Sequence, residues 1–277
     1  MDLSVRAPAR SVPGMSHHTR VSRALIERGF AVGTSITIVD PASVAIAAAA
    51  GFDVVQVDGE HAAVGDDRWR AIAAVAAARD ITVLARVPDH SVGTLQHALA
   101  TGVSGVIVPH VSTRAEAEAA VQGVYYPPLG RRGLGGQEPW HEISPAVDAA
   151  ARIERDNERL QLWVIIETVE GVDNLAEILN VPGITAVLPG PFDLSAELGV
   201  PGQVQHPLVR EQLARIVATT REAGVPLVGS HTSEPGGAAA SYRAGARILL
   251  APSDGAVLAA GHRRHREEVL AAVEASA

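Results

Sequence analysis

No cysteine occurs in the 277 residues, so thiol nucleophiles, thiolate metal sites and disulfides lie outside this chain's chemistry. Lysine is missing too: all 23 basic side chains are arginine. That excludes a Schiff-base amine, an anchor for pyridoxal phosphate and a phosphate-loop lysine. Any carbanion made here must be stabilised by other means. Aromatic residues are only 3% of a sequence that is 47% hydrophobic, so the core must be built from Ala, Val, Leu and Ile. The net charge is −8, and no arginine-rich run interleaved with aromatics occurs, which argues against nucleic acid as a partner. Apolar runs are short and broken by Gly, Pro or charge, so none suits a membrane span. The N-terminus has arginines but no apolar segment behind them, and the expectation is a cytoplasmic protein.

What is present is a repeating alternation of short apolar strands with longer helices. Residues 1–20 mix Arg, Pro, Ser and His without period and read as a flexible arm; residues 21–277 read as one domain. The pattern predicts strands over 30–39, 53–57, 81–87, 105–108, 161–166, 184–188, 226–228 and 247–250. Helices are expected over 21–28, 42–50, 66–79, 91–100, 113–122, 144–156, 169–179, 208–223, 237–244 and 257–273, with a Gly/Pro-rich loop over 125–139. About eight βα units in this length suit a (β/α)8 TIM barrel. A doubly wound open sheet is the alternative. No glycine-rich dinucleotide fingerprint appears, and polar residues end several different strands, which favours the barrel.

In a barrel those strand ends converge on one face. Val57-Asp58-Gly59-Glu60-His61 ends the second strand; a carboxylate near an imidazole fixes its tautomer and raises its basicity, as a general base near neutral pH requires. Arg86 lies in the third strand and His110 follows the fourth, where it contacts substrate or is simply solvated. Glu167 ends the fully apolar Trp163-Val164-Ile165-Ile166, where a carboxylate is costly to desolvate unless a cation meets it. Asp193 sits in the turn Gly190-Pro191-Phe192-Asp193, where backbone N–H groups and a carboxylate can meet. Two carboxylates on adjacent strands suit a hard divalent ion such as Mg2+ or Mn2+. The competing reading has Asp193 capping a turn over 194–198 and Glu167 paired with an arginine. His17, His18, His262 and His265 read as surface groups near the termini.

Six segments in order resemble the HpcH/HpaI family of metal-dependent pyruvate aldolases: VDGEH at 57–61, ARVP at 85–88, GVIVPHV at 105–111, YPPLGRRG at 126–133, IETVEGVDNL at 166–175 and GPFDLSAELG at 190–199. The resemblance spans roughly residues 30–260. It implies a TIM barrel, a divalent metal on Glu167 and Asp193, a base at His61 supported by Asp58, and an arginine at Arg86. It also implies a homo-oligomer assembled through dimers, commonly a hexamer, with the last helix packed on a neighbouring subunit. The expected reaction makes or cleaves 4-hydroxy-2-oxo acids from a 2-oxo acid and an aldehyde, through a pyruvate enolate, with Mg2+, Mn2+ or Co2+. Backbone N–H groups near Phe192 and Asp193 would hold the carboxylate. Decarboxylation of oxaloacetate, as in macrophomate synthase, is the alternative; a non-catalytic binding or assembly barrel is a third.

Two departures from the resemblance concern specificity. Residues 135–141 lack the Arg-Ala stretch expected after the Arg131-Arg132 loop. Ile165 stands where most relatives have glutamine, on the same strand face as Glu167. An amide there could bond a substrate oxygen, whereas isoleucine can only exclude water, so a drier pocket with an unusual natural partner is expected.

Overall fold

A computed structural model describes residues 18–135, 148–230 and 236–276. The elements are α1 (Arg20–Arg28), β1 (Ala31–Ile36), α2 (Pro41–Ala49), β2 (Val54–Asp58), α3 (Asp66–Ala78), β3 (Thr82–Arg86), α4 (Val92–Ala100), β4 (Gly105–Val108) and α5 (Arg114–Val124). They continue with α6 (Ala149–Arg159), β5 (Gln161–Ile166), α7 (Val169–Asp173), α8 (Leu175–Leu179), β6 (Ala186–Pro189) and α9 (Pro191–Glu197). The last are α10 (Pro207–Ala223), β7 (Val228–Ser230), α11 (Gly237–Ala244), β8 (Ile248–Ala251) and α12 (Asp254–Glu274).

All eight strands are parallel, in the order β6-β5-β4-β3-β2-β1-β8-β7, and a bridge from Val187 to Leu227 joins the two ends. This is the expected (β/α)8 barrel. Alternation divides each strand between two cores. Val55 and Val57 of β2, for example, face the helices with Ile72 and Leu95, whereas Val54 faces the barrel axis with Leu84, Ile107, Trp163 and Leu250. The strand registers, in a barrel of shear about 8, put Ser35, Arg86, Ile165 and Ser230 in one inward layer, with Gln56, Ile107, Leu188 and Leu250 beneath it.

The other end of the barrel is closed by α1, whose Val21, Ala24 and Leu25 join the axial core. Asp53 anchors it: the buried carboxylate pairs with Arg28 and with Arg20, and accepts the Val32 N–H at 2.7 Å. That role for the first helix was not foreseen from its sequence.

Several boundaries differ from expectation. Strand β1 stops at Ile36 rather than 39, because the Asp254 carboxylate takes the Thr37 N–H at 2.8 Å and its hydroxyl at 2.9 Å. The expected helix 169–179 is two helices, broken at Asn174, whose side-chain amide donates to Ser112 O at 2.9 Å. Strand β7 begins at Val228 instead of 226. The arm at 1–17, the end of the 125–139 loop and the start of the 144–156 helix lie outside the described residues.

Candidate active site

The turn after β2 is built by one carboxylate. Asp58 accepts the N–H groups of Glu60 and His61 at 3.1 Å each, which folds residues 58–61 into a tight loop. The same carboxylate receives Arg86 Nη2 at 2.7 Å and Nε at 3.2 Å, across the β2–β3 register that sets Asp58 beside Arg86. Glu60 Oε2 lies 3.2 Å from Arg86 Nη1, so the guanidinium is clamped between two carboxylates. Burial alone would push the Asp58 carboxyl up, but the Arg86 hydrogen bond and charge, with the two N–H donors, more than offset it and hold it below its ordinary value. Gly59 permits this packing: a Cβ there would lie 2.8 Å from Trp69 and 2.9 Å from Arg86 O.

The expected support of the His61 ring by Asp58 is not what the geometry provides. Asp58 holds the His61 backbone, while the imidazole Nε2 sits 3.8 Å from Glu60 Oε2 and the side chain is 67% exposed. Glu60, recognised at the strand end but not given a role, is thus the carboxylate nearest the proposed base. An alternating D-x-E placed the pair correctly, but nothing in the sequence says which of the two meets the imidazole.

Glu167 lies just beyond β5 and is 5% exposed. No arginine pairs with it among the described residues, so the arginine reading falls. Its neighbour is His110, whose N–H donates to Oε1 at 2.8 Å and whose Nδ1 lies 3.1 Å from the same oxygen. Burial pushes the Glu167 carboxyl up to about 7; His110 pulls it down, and the charges of Asp193 and Glu60 push it up again. Asp193 is in the first turn of α9, whose N-cap is Gly190 without any side-chain cap, so the capping reading falls as well. Gly190 has to be glycine: a Cβ would come within 2.4 Å of Glu167 Cβ and 2.6 Å of its Oε2. The Gly190 N–H is used by Ile166 O at 2.9 Å, whereas Pro191 heads the helix and Phe192 is exposed at the mouth.

Ile165 is buried in the axial core below Glu167. One layer lower, Gln56 puts an amide into the barrel interior, and its buried Oε1 has no hydrogen-bond partner among the described residues. Alternation sets Gln56 on the same strand face as Asp58, but nothing in the sequence says that its carbonyl lacks a donor there. His18, expected at the surface, is exposed and pairs with Glu158; His17 lies outside the described residues.

A divalent ion fits the carboxylate pair. Glu167 is a buried carboxyl with His110 against one oxygen and the charges of Asp193 and Glu60 near it, and both candidate ligands are hard oxygen donors. No cluster of three His, Cys, Asp or Glu gathers for a metal among the described residues.

The profile of the HpcH/HpaI aldolase/citrate lyase family matches residues 36–260. The chain is 34% identical over 190 residues to 4-hydroxy-4-methyl-2-oxoglutarate aldolase cghB of Chaetomium globosum, covering 68% of this chain and 70% of that one. Its fold superposes on the HpcH/HpaI aldolase from Desulfitobacterium hafniense with a TM-score of 0.82 at 30% identity, over 89% of this chain and 95% of that one. Macrophomate synthase shares the fold at 24% identity, with a TM-score of 0.80 over 99% of this chain and 97% of that one.

Proposed function

The chain belongs to the HpcH/HpaI aldolase/citrate lyase family, an aldolase/lyase enzyme family, and on that footing we propose that it is a divalent-metal-dependent aldolase for 4-hydroxy-2-oxo acids. The observation that carries this reading is Glu167, buried at the end of β5 with the charges of Asp193 and Glu60 near it, in a chain with no lysine. Glu167 and Asp193 would hold the ion, which when bound supplies Lewis-acid polarisation of a 2-oxo acid. Arg86 has its orientation set by Asp58 and Glu60 and directs charge at the oxygen that becomes negative as a pyruvate enolate forms. His61, exposed at the mouth next to Glu60, moves the proton of the aldol hydroxyl through water. The first-turn N–H groups of Phe192 and Asp193 in α9 would hold the substrate carboxylate. The aldolase name of the Chaetomium relative supports the substrate class; the likeness to macrophomate synthase supports the fold alone, so oxaloacetate decarboxylation is not favoured. Assays of pyruvate with an aldehyde panel and Mg2+, Mn2+ or Co2+ test the proposal. Chelator should abolish turnover and added ion restore it. Full activity of metal-free protein, or a borohydride-trapped pyruvate adduct, would refute it.

The isoleucine at 165 adds a specificity expectation. Ile165→Gln should raise turnover of pyruvate with simple aldehydes several-fold, by restoring an amide next to Glu167. A folded variant with unchanged or lower activity on that pair would count against a re-specialised pocket.

The same reading includes assembly. No residue of α12 is buried, and Val257, Leu258, Val269, Leu270 and Val273 are all exposed. On the barrel, α11 has no buried residue either, and Ile46 of α2 is 70% exposed. An apolar helix without a bed and an apolar bed without a helix support packing of α12 on a second copy. The double variant Val269→Asp/Val273→Asp should give a smaller mass than wild type in light scattering. A monomeric wild type, or equal masses, would refute this.

A further inference from the structure

Each oxygen of the Glu167 carboxylate has a separate environment, and His110 is the reason. Its backbone is left-handed, with φ of 55°, a conformation that costs any residue with a Cβ. This turn brings the His110 N–H to Glu167 Oε1 at 2.8 Å, and it folds the ring back so that Nδ1 lies 3.1 Å from that same oxygen. Oε2 is left on the other side, against Gly190, where even a methyl group would have to displace it. The far ring nitrogen, Nε2, lies 3.9 Å from Glu60 Oε1, and the other oxygen of Glu60 meets Arg86 at 3.2 Å. His110 therefore stands between the proposed metal ligand and the carboxylate that clamps the arginine, although its side chain is itself half exposed.

We propose that His110 is a positioning residue: its backbone N–H bonds Oε1 and its ring lies against the same oxygen, so that the Glu167 carboxylate is held in one orientation for the cation it would bind. This rests on the divalent-metal reading above. The physical reason is general, since a partner that orients a ligating carboxylate removes the rotational freedom that binding would otherwise have to freeze. The backbone and ring contributions can be separated by substitution. Glycine accepts the left-handed backbone and keeps the N–H but deletes the ring. Asparagine tolerates that backbone and brings a side-chain N–H donor of its own. Leucine loses the ring and resists the turn.

The test is calorimetric titration of Mn2+ into metal-free protein without substrate, for wild type, His110→Gly, His110→Asn and His110→Leu, with circular dichroism to verify folding. Partners of this kind typically change metal affinity by about 10- to 100-fold. The expected order is wild type tightest, His110→Asn between, His110→Gly about 10-fold weaker, and His110→Leu weakest. Rescue by asparagine relative to glycine is the mark of a polar side chain held against Oε1, which mere loss of packing would not produce. Binding within twofold of wild type in folded His110→Gly and His110→Asn would overturn the role of His110 while leaving the metal reading intact. Failure of wild type itself to bind Mn2+ would overturn both. If His110→Leu does not fold, the glycine and asparagine variants decide.

Discussion

Arg86→Lys is expected to lower turnover by about 10²- to 10³-fold, the usual loss when one donor to a developing oxyanion is removed. The guanidinium is engaged on three sides: Nη2 and Nε fork onto Asp58 at 2.7 and 3.2 Å, and Nη1 reaches Glu60 at 3.2 Å. An ammonium is a single compact charge on a flexible stem and cannot reproduce this planar fork, so one carboxylate loses its partner and the cation loses its aim. Both carboxylates are largely buried, and leaving one without its charged hydrogen bond costs about 1–3 kcal/mol of stability. Divalent-ion affinity should stay near wild type, because Arg86 touches neither Glu167 nor Asp193 through any described contact. Steady-state kinetics, metal titration and thermal unfolding together check the three statements. Near wild-type turnover in Arg86→Lys would make Arg86 a purely structural ion-pair partner.

The alternation that made the barrel legible is a consequence of burial on both faces of every strand. Val54 to Val57 and Leu162 to Ile166 are almost continuous apolar runs because one set of side chains faces the axis and the other faces the helices. Misjudged boundaries were those decided by distant residues. Thr37-Ile38-Val39 has the composition of a strand, yet Asp254, more than two hundred positions away, takes its first N–H. Asn174 breaks a helix because a carbonyl at Ser112 waits for its amide. Neither partner can be named before the fold is known.

The site shows the same division. Glu167 could be singled out because a carboxylate ending an apolar strand is anomalous on energetic grounds, whichever partner it finds. Which partner it finds was invisible: the choice of His110 over an arginine depends on a left-handed turn after β4 that a Pro-His pair does not announce. Likewise Asp58, Glu60 and His61 were gathered correctly. The assignment of Asp58 to the backbone and to Arg86, and of Glu60 to the imidazole, depends on the β2–β3 register that sets Asp58 beside Arg86 and on the close approach at Gly59.

Glu167→Gln should abolish divalent binding and turnover, yet yield a metal-free protein more stable than wild type at pH 8. Glu167 has its carboxyl raised from an ordinary 4.5 to about 7, first by burial and then by Asp193 and Glu60 against the pull of His110. Its folded form thus holds a proton that the unfolded chain has already released between those values. The associated stability is complete below the unfolded value and is lost as pH rises through the folded one. In metal-free wild type this loss amounts to about 3 kcal/mol at most, at ~1.4 kcal/mol per pH unit, and it should appear as a falling melting temperature between roughly pH 4.5 and 7. A bound divalent ion replaces the proton, so Mn2+ affinity should climb over the same window and level off above it. Glutamine keeps the shape, needs no proton and offers no charge, so the variant should show neither the fall nor the climb. Melting curves with chelator and with Mn2+, from pH 5 to 8.5, measure both. A wild type whose metal-free stability is flat across that range, or a Glu167→Gln protein that still binds Mn2+ with wild-type affinity, would mean that Glu167 is not the ligand on which the site depends.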